Sequence, residues 1–321
     1  MNSVKIAVVI PCYKVKEHIE NVLNNIPSIV NKIYIVDDNC PSSSGKFVAS
    51  VNNDHRVSII YHSKNKGVGG AVITGYKRAL AEKQDIIVKL DGDGQMDPTL
   101  IPTLIKPILD KKADYTKGNR FFSLESLKPM PNIRKFGNAS LSFINKVSSG
   151  YWDIMDPTNG FTAIHKSTLS ILPLNKINNG YFFESDMLFR LGTVRAVVQD
   201  IPMKAIYEEE KSSLNINHTI VNFPKMYFKS FLKRIFYNYF LRDFNRASIE
   251  LTLGVLFILF GSTWGVIHWA ISIHQMNEAS TGTVMLAVLP IILGFQMLLD
   301  AVKFDADNIP TTPLQTLGFN E

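Results

Sequence analysis

The chain has 321 residues, enough for one sizeable domain with an appendage or for two small domains. Apolar residues make up 46% and charged residues only 19%, which argues for a folded protein with its apolar excess concentrated in some part of the chain. The 34 Lys and Arg against 28 Asp and Glu leave +6, too diffuse a balance to indicate nucleic acid as a partner.

The first apolar run, Ile6-Ala7-Val8-Val9-Ile10, is short and ends at Pro11, so it reads as a β-strand and not as a signal peptide. Short β-branched runs at Val4–Ile10, Lys32–Val36, Val57–Tyr61 and Ile86–Leu90 alternate with helical stretches near Glu17–Asn25, Gly70–Ala81 and Thr99–Leu109. The last of these starts at Asp97-Pro98, an N-cap followed by proline in the first turn. Alternating strands and helices predict an α/β domain with a mostly parallel sheet covered on both faces. In such sheets a ligand lies beyond the carboxyl ends of the strands. The two cysteines, Cys12 and Cys40, lack metal-ligand spacing and read as small buried hydrophobes in a reducing compartment.

The strand ends carry the chemistry. Strand one ends in Pro11-Cys12-Tyr13, strand two in Asp37-Asp38-Asn39, and strand four in Asp91-Gly92-Asp93-Gly94-Gln95. Two acidic clusters at one sheet edge repel unless a cation or a hydrogen-bonding ligand sits between them. Mg2+ or Mn2+, held by carboxylates and diphosphate oxygens, answers that need. An EF-hand starting at Asp91 fails, because its sixth and twelfth positions are Met96 and Pro102. Asn65-Lys66-Gly67-Val68-Gly69-Gly70 is not a dinucleotide fingerprint: it follows the third strand, and Val72 stands where the third glycine belongs. Its glycines still permit close backbone approach to a ligand at the start of the next helix.

From Asn222 to Ser248 six bases (Lys225, Lys229, Lys233, Arg234, Arg242, Arg246) face one acid, Asp243, leaving +5. Lys225, Lys229 and Lys233 share a helical face beside Phe228, Phe231, Leu232, Ile235 and Phe236, which predicts an interfacial helix against anionic lipid. No Asp, Glu, Lys or Arg occurs from Leu251 to Asn277, nor from Ala279 to Leu299. Each run is long enough to span a bilayer core of ~30 Å, so two transmembrane helices are expected at about 251–273 and 281–300. The bases before the first span and Lys303 after the second put both termini and the large domain on the cytoplasmic side. The expected organisation is a catalytic domain at 1–221, a basic juxtamembrane helical region at 222–248, the spans within 249–302 and a tail at 303–321. The tail from Pro310 to Glu321 is expected to be mobile.

Taken together, Pro11-x-Tyr13, Val36-Asp37-Asp38, Asn65-Lys66-Gly67-x-Gly69 and Asp91-x-Asp93-x-Gln95 resemble the family-two inverting glycosyltransferases of the GT-A fold. Within that family the pattern is most similar to the polyprenyl-phosphate glycosyltransferases, the group that includes dolichol-phosphate mannose synthase. The likeness covers about the first 215 residues, and the two spans resemble those of anchored bacterial members. It implies an integral membrane enzyme, of the bacterial inner membrane or its equivalent, that moves a sugar from a UDP- or GDP-sugar to undecaprenyl or dolichyl phosphate. It also implies a homo-oligomer, a tetramer in related enzymes.

The resemblance assigns roles residue by residue. Pro11 and Tyr13 would line the base pocket, Asp37 and Asp38 would contact base or ribose, and Lys66, Gly67 and Gly92 would border the donor. Asp91, Asp93 and Gln95 match the metal-binding motif for Mg2+ or Mn2+. Arg120, in Gly118-Asn119-Arg120, would hold the acceptor phosphate, with Arg134 and Lys135 as a second phosphate site. Asp156 would lie near sugar or acceptor, Glu184 would shape the sugar site, and Lys211 would belong to a loop closing on the diphosphate. Asp91, Asp93, Asp156 and Arg120 are therefore the expected catalytic set.

A lipid phosphate is already anionic and needs positive groups, not a general base. A saccharide hydroxyl as acceptor would require one, with Asp156, Glu184 or Asp186 as candidates. A noncatalytic nucleotide-sugar-binding protein is the remaining alternative, and the intact acidic set argues against it.

Overall fold

The computed structural model describes residues 4–122, 132–204 and 216–318. The chain divides into two compact units, residues 1–231 with 310–321, and Leu232–Ile309.

The first unit is built on seven strands: β1 (Ile6–Cys12), β2 (Lys32–Asp37), β3 (Val57–Tyr61), β4 (Ile86–Lys89), β5 (Tyr115–Asn119), β6 (Thr162–His165) and β7 (Val198–Pro202). They form one sheet in the order β3-β2-β1-β4-β6-β5-β7. β1 runs parallel to β2 and β4, β2 to β3, and β5 to β7, while β6 is antiparallel to both β4 and β5. The helices are α1 (Ile19–Asn24), α2 (Ser44–Val51), α3 (Val68–Ala81), α4 (Ile101–Leu109), α5 (Asn132–Ser149), α6 (Lys166–Ile171), α7 (Phe183–Val194) and α8 (Ile216–Phe236).

Every residue of β1 is buried, as expected of a central parallel strand covered on both faces. The core gathers Val8, Ile10, Ile33, Ile35 and Val88 against the buried stripe of α4: Ile101, Leu104, Ile105 and Ile108, one face of a 3.6-residue period. The predicted start of this helix is present: Asp97 Oδ1 accepts from Thr99 N at 2.9 Å, with Pro98 next to the cap. Because β2, β1 and β4 are parallel neighbours, their carboxyl ends share one edge. β1 lies between the two acidic clusters, and two strand spacings put their strands about 9–10 Å apart.

The C-terminal stretch corrects one expectation. Leu314 N and Gln315 N donate to the buried Asp114 carboxylate at 2.9 and 3.1 Å, and Leu314 is itself buried. The Gln315 amide donates to the carbonyls of Ile108 and Ala113. A stretch this fully hydrogen-bonded is docked, so the tail through residue 318 is part of the first unit.

In the second unit α9 (Arg246–Gln275) and α10 (Thr281–Asp307) form a hairpin, capped by Asn245 and Ser280 respectively. Thirty residues at 1.5 Å each give α9 a length of about 45 Å, longer than a bilayer core. The helices touch through glycines: a Cβ on Gly254 would lie 3.0 Å from the Gly294 carbonyl oxygen, and one on Gly294 2.7 Å from that of Gly254. Their outer surfaces, including Leu256, Leu259, Val266 and Ile292, are exposed apolar side chains. Arg234 departs from the basic surface predicted for it. It is 2% exposed and makes a bidentate ion pair with Asp305, at 2.6 and 3.0 Å, to which Tyr239 also donates. Lys225, Lys229, Lys233, Arg242 and Arg246 remain exposed.

Candidate active site at the ends of β1, β2 and β4

At the end of β2 the chain consumes its own carboxylates. Asp37 accepts from Cys40 N and Gly45 N, both at 2.7 Å, which shapes the loop into α2. Asp38 accepts from Lys66 N and Gly67 N, each at 2.8 Å, and from His62 Nδ1 at 2.7 Å. His62 Nε2 in turn meets Thr74 Oγ1 at 2.9 Å, so Asp38 ties β2, the end of β3 and α3 together. Both aspartates are at most 4% exposed. Beside them Pro11 is buried within β1, and Tyr13, just past its end, is 44% exposed.

The glycines after β3 serve the fold in a way the sequence did not reveal. Gly67 has φ +83°, and a Cβ there would lie 2.5 Å from the Asn179 carbonyl oxygen. One on Gly69 would lie 2.3 Å from that of Asn178. The close approach at the start of α3 is thus made by the protein's own 178–180 turn, and Gly70 N donates to Asn179 O at 3.1 Å.

At the end of β4 the arrangement differs. Lys89, wholly buried, places Nζ 2.9 Å from Asp91 Oδ1 and 2.9 Å from Glu184 Oε1 in the first turn of α7. Burial opposes its charge, but Asp91 and Glu184 outweigh burial and raise its pKa above the ordinary lysine value. Gly160 covers this triad so closely that a Cβ would meet Lys89 Nζ at 2.3 Å and Asp91 Oδ2 at 2.4 Å. Asp91 remains 25% exposed. Asp93 and Gln95 follow on a turn where Gln95 N donates to Asp93 Oδ1 at 3.1 Å, and Gly94 takes φ +80°. Gly92 sits between Asp91 and Asp93, buried against Val15 and Ile19.

After β5, Arg120 grips Asp156 with two forks, Nε to Oδ2 at 2.7 Å and Nη2 to Oδ1 at 2.9 Å. Asp156 is completely buried, whereas the Arg120 side chain is 30% exposed. The structure therefore joins two residues that the sequence assigned separate roles. Lys117, also on β5 and fully buried, donates to the Asn159 carbonyl. Burial lowers its pKa, opposed by Asp156, Glu184 and Asp200. Asp186 accepts from Asn178 N at 2.7 Å and pairs with Arg190 at 3.1 Å. Lys135 is half-buried in α5; Lys211 and the side chain of Arg134 lie outside the described residues. Lys89, Lys117 and His62 were missed in the sequence. Lysine in a buried strand is the one signal that could have flagged the first two.

The donor set suits a hard divalent cation only in part. Asp91, Asp93 and Gln95 offer carboxylate and amide oxygens at one strand end, the ligand chemistry Mg2+ and Mn2+ prefer. Among the described residues no three His, Cys, Asp or Glu side chains form a metal cage. The residues thus fit a cation whose coordination is completed by another oxygen-rich ligand such as a diphosphate.

This sheet and its strand-end site define a GT-A glycosyltransferase fold. The model of the family described as Glycosyl transferase family 2 matches residues 7–171, and the chain belongs to that family. A UDP-N-acetylglucosamine–dolichyl-phosphate N-acetylglucosaminyltransferase from Methanococcus voltae is 33% identical over 226 residues, 66% of this chain and 90% of that protein. An undecaprenyl-phosphate mannosyltransferase from Micrococcus luteus is 26% identical over 209 residues, 64% of this chain and 85% of that one. Among solved structures, glucosyl-3-phosphoglycerate synthase from Mycobacterium tuberculosis, in complex with Mg2+ and UDP, matches with a TM-score of 0.55 at 15% identity. The match covers 72% of this chain and 79% of that chain, and it is a likeness of fold.

Proposed function

We propose that this protein transfers a sugar from a nucleoside-diphosphate donor to a polyprenyl phosphate at the cytoplasmic face of a membrane. One observation carries the choice of acceptor: every carboxylate considered as a general base already holds a cationic partner. Asp156 is clamped by Arg120, Glu184 by Lys89 and Asp186 by Arg190. Each of the three is held by its cation and does not stand open to a hydroxyl, so none of them is a ready general base. A phosphate monoester needs none. The polyprenyl-phosphate acceptors named for the two relatives point the same way.

In this reading Pro11 and Tyr13 border the nucleotide base, with Asp37 and Asp38 shaping the walls behind it. Asp91, Asp93 and Gln95 hold Mg2+ or Mn2+, which when bound would neutralise charge on the departing diphosphate. Arg120, oriented by Asp156, presents its exposed part to the acceptor phosphate, with Arg134 and Lys135 further along. Glu184 borders the sugar and Lys211 the diphosphate. The exposed bases of 225–246 and Lys303 flank the two spans, while the connecting loop has no Lys or Arg, which supports a cytoplasmic catalytic domain and termini.

Purified protein in detergent, given a panel of UDP- and GDP-sugars with undecaprenyl or dolichyl phosphate and Mn2+, tests the proposal. The expected product is a sugar-labelled lipid from one donor. Transfer to soluble saccharides with none to lipid phosphate would sink it.

A further inference from the structure

The Asp91–Lys89–Glu184 triad bears on how a cation could bind. Lys89 Nζ is enclosed, lying 2.9 Å from each carboxylate under the Gly160 backbone, with the rest of its strand paired to β1 and β6. A lysine so confined cannot swing into solvent. Any divalent cation taking an oxygen of Asp91 would sit close to that ammonium, and the two would repel in surroundings of low dielectric. Without the lysine, the charges of Asp91 and Glu184, now joined through Nζ, would both be left for an incoming cation. With it, one of those two charges is already matched. A nucleoside diphosphate supplies the missing negative charge and further oxygens.

We infer that Lys89 is a positioning residue that acts as a fixed counter-cation. It holds Asp91 against Glu184 and makes occupation of the metal site depend on the donor diphosphate. The inference rests on the proposed metal role of Asp91 and Asp93 and adds the residue that gates it. Coupling of this kind is reciprocal: nucleotide and cation each strengthen the other's binding. It would keep the enzyme from holding a cation in a site with no donor.

Mn2+ binding to the full-length protein, read from the electron paramagnetic resonance of free Mn2+ with and without UDP or GDP and corrected for the Mn2+ each nucleotide holds without protein, tests this. In the wild type a nucleoside diphosphate should tighten Mn2+ binding at least about tenfold. Lys89→Met should tighten nucleotide-free binding by about tenfold and shrink that enhancement. Glu184→Gln, which leaves the ammonium wholly to Asp91, should shift Mn2+ affinity the other way. A lysine with a merely structural role would loosen binding in the first variant and give no opposition of sign. Unchanged or weaker nucleotide-free binding in a folded Lys89→Met protein would overturn the inference. If that variant does not fold, unchanged or tighter binding in Glu184→Gln would do the same. A wild type that takes up no Mn2+ with either nucleotide would overturn the metal reading itself and this inference with it, an outcome distinct from variants that fail to differ.

Discussion

Asp37-Asp38 and Asp91-Asp93 stand on either side of the same strand end, and their carboxylates are engaged in different ways. The first pair accepts four backbone N–H groups and one imidazole, all from its own chain, and is almost sealed from solvent. In the second pair Asp91 holds a lysine on one side and is still 25% exposed, and Asp93 accepts from Gln95 N. Backbone donors fix a carboxylate in place and use its lone pairs; a single buried ammonium fixes it and leaves part of its charge to be matched by something else. A cluster of acids at a strand end is thus a scaffold or a site according to what fills its lone pairs.

Substitutions at the two ends should separate these roles. Asp93→Ala should lower transfer by about 100- to 1,000-fold while changing unfolding free energy by less than about 1 kcal/mol, measured by initial rates and by denaturant unfolding. Asp38→Ala should do the reverse in kind, stranding Lys66 N, Gly67 N and His62 and lowering stability by about 3 kcal/mol. If Asp93→Ala destabilised the protein as much as Asp38→Ala, the distinction would be lost. Farther from the site, Asp114 accepts from Val197, Leu314 and Gln315 N, so Asp114→Ala should cost about 2 kcal/mol and expose the tail to limited proteolysis.

The smallest effect concerns the two thiols beside β2. Burial disfavours the Cys40 thiolate, yet bonds from Ser42, Ser44 and Lys14 N outweigh it and bring the thiol down to about 7. Burial, with Asp37 nearby, pushes Cys12 up to about 12. The thiolate is the nucleophile, so alkylation of Cys40 should rise with pH through about 7 and then level off, while Cys12 stays inert over that range. Mass spectrometry after iodoacetamide treatment reads both sites. Protection of Cys40 by UDP or GDP would tie the β2 loop to the nucleotide wall.

Much of this was legible in the sequence, for physical reasons. Continuous apolar runs exposed β1 to β4, and the strand-end motifs followed from their placement. The two long apolar helices announced themselves by lacking charge. The far half of the sheet did not: Tyr115-Thr116-Lys117-Gly118-Asn119 has no apolar run, and its burial depends on partners distant in sequence. Pairing was equally hidden. Nothing local to Arg234 foretells Asp305, 71 residues on, nor does Arg120 foretell Asp156. Lys89 looked like the end of a strand, because its two carboxylates are set by tertiary placement of α7 and by the turn after β4.

The acceptor claim meets its most direct test in a comparison of two lipids of the same chain length, polyprenyl phosphate and the corresponding polyprenol, with the accepted nucleotide sugar and Mn2+. With every candidate base clamped by a cation, transfer should occur to the phosphate and be undetectable with the alcohol. Comparable rates on the two lipids would contradict the account, since the alcohol would then have to be activated by one of these clamped carboxylates or by a base other than the three.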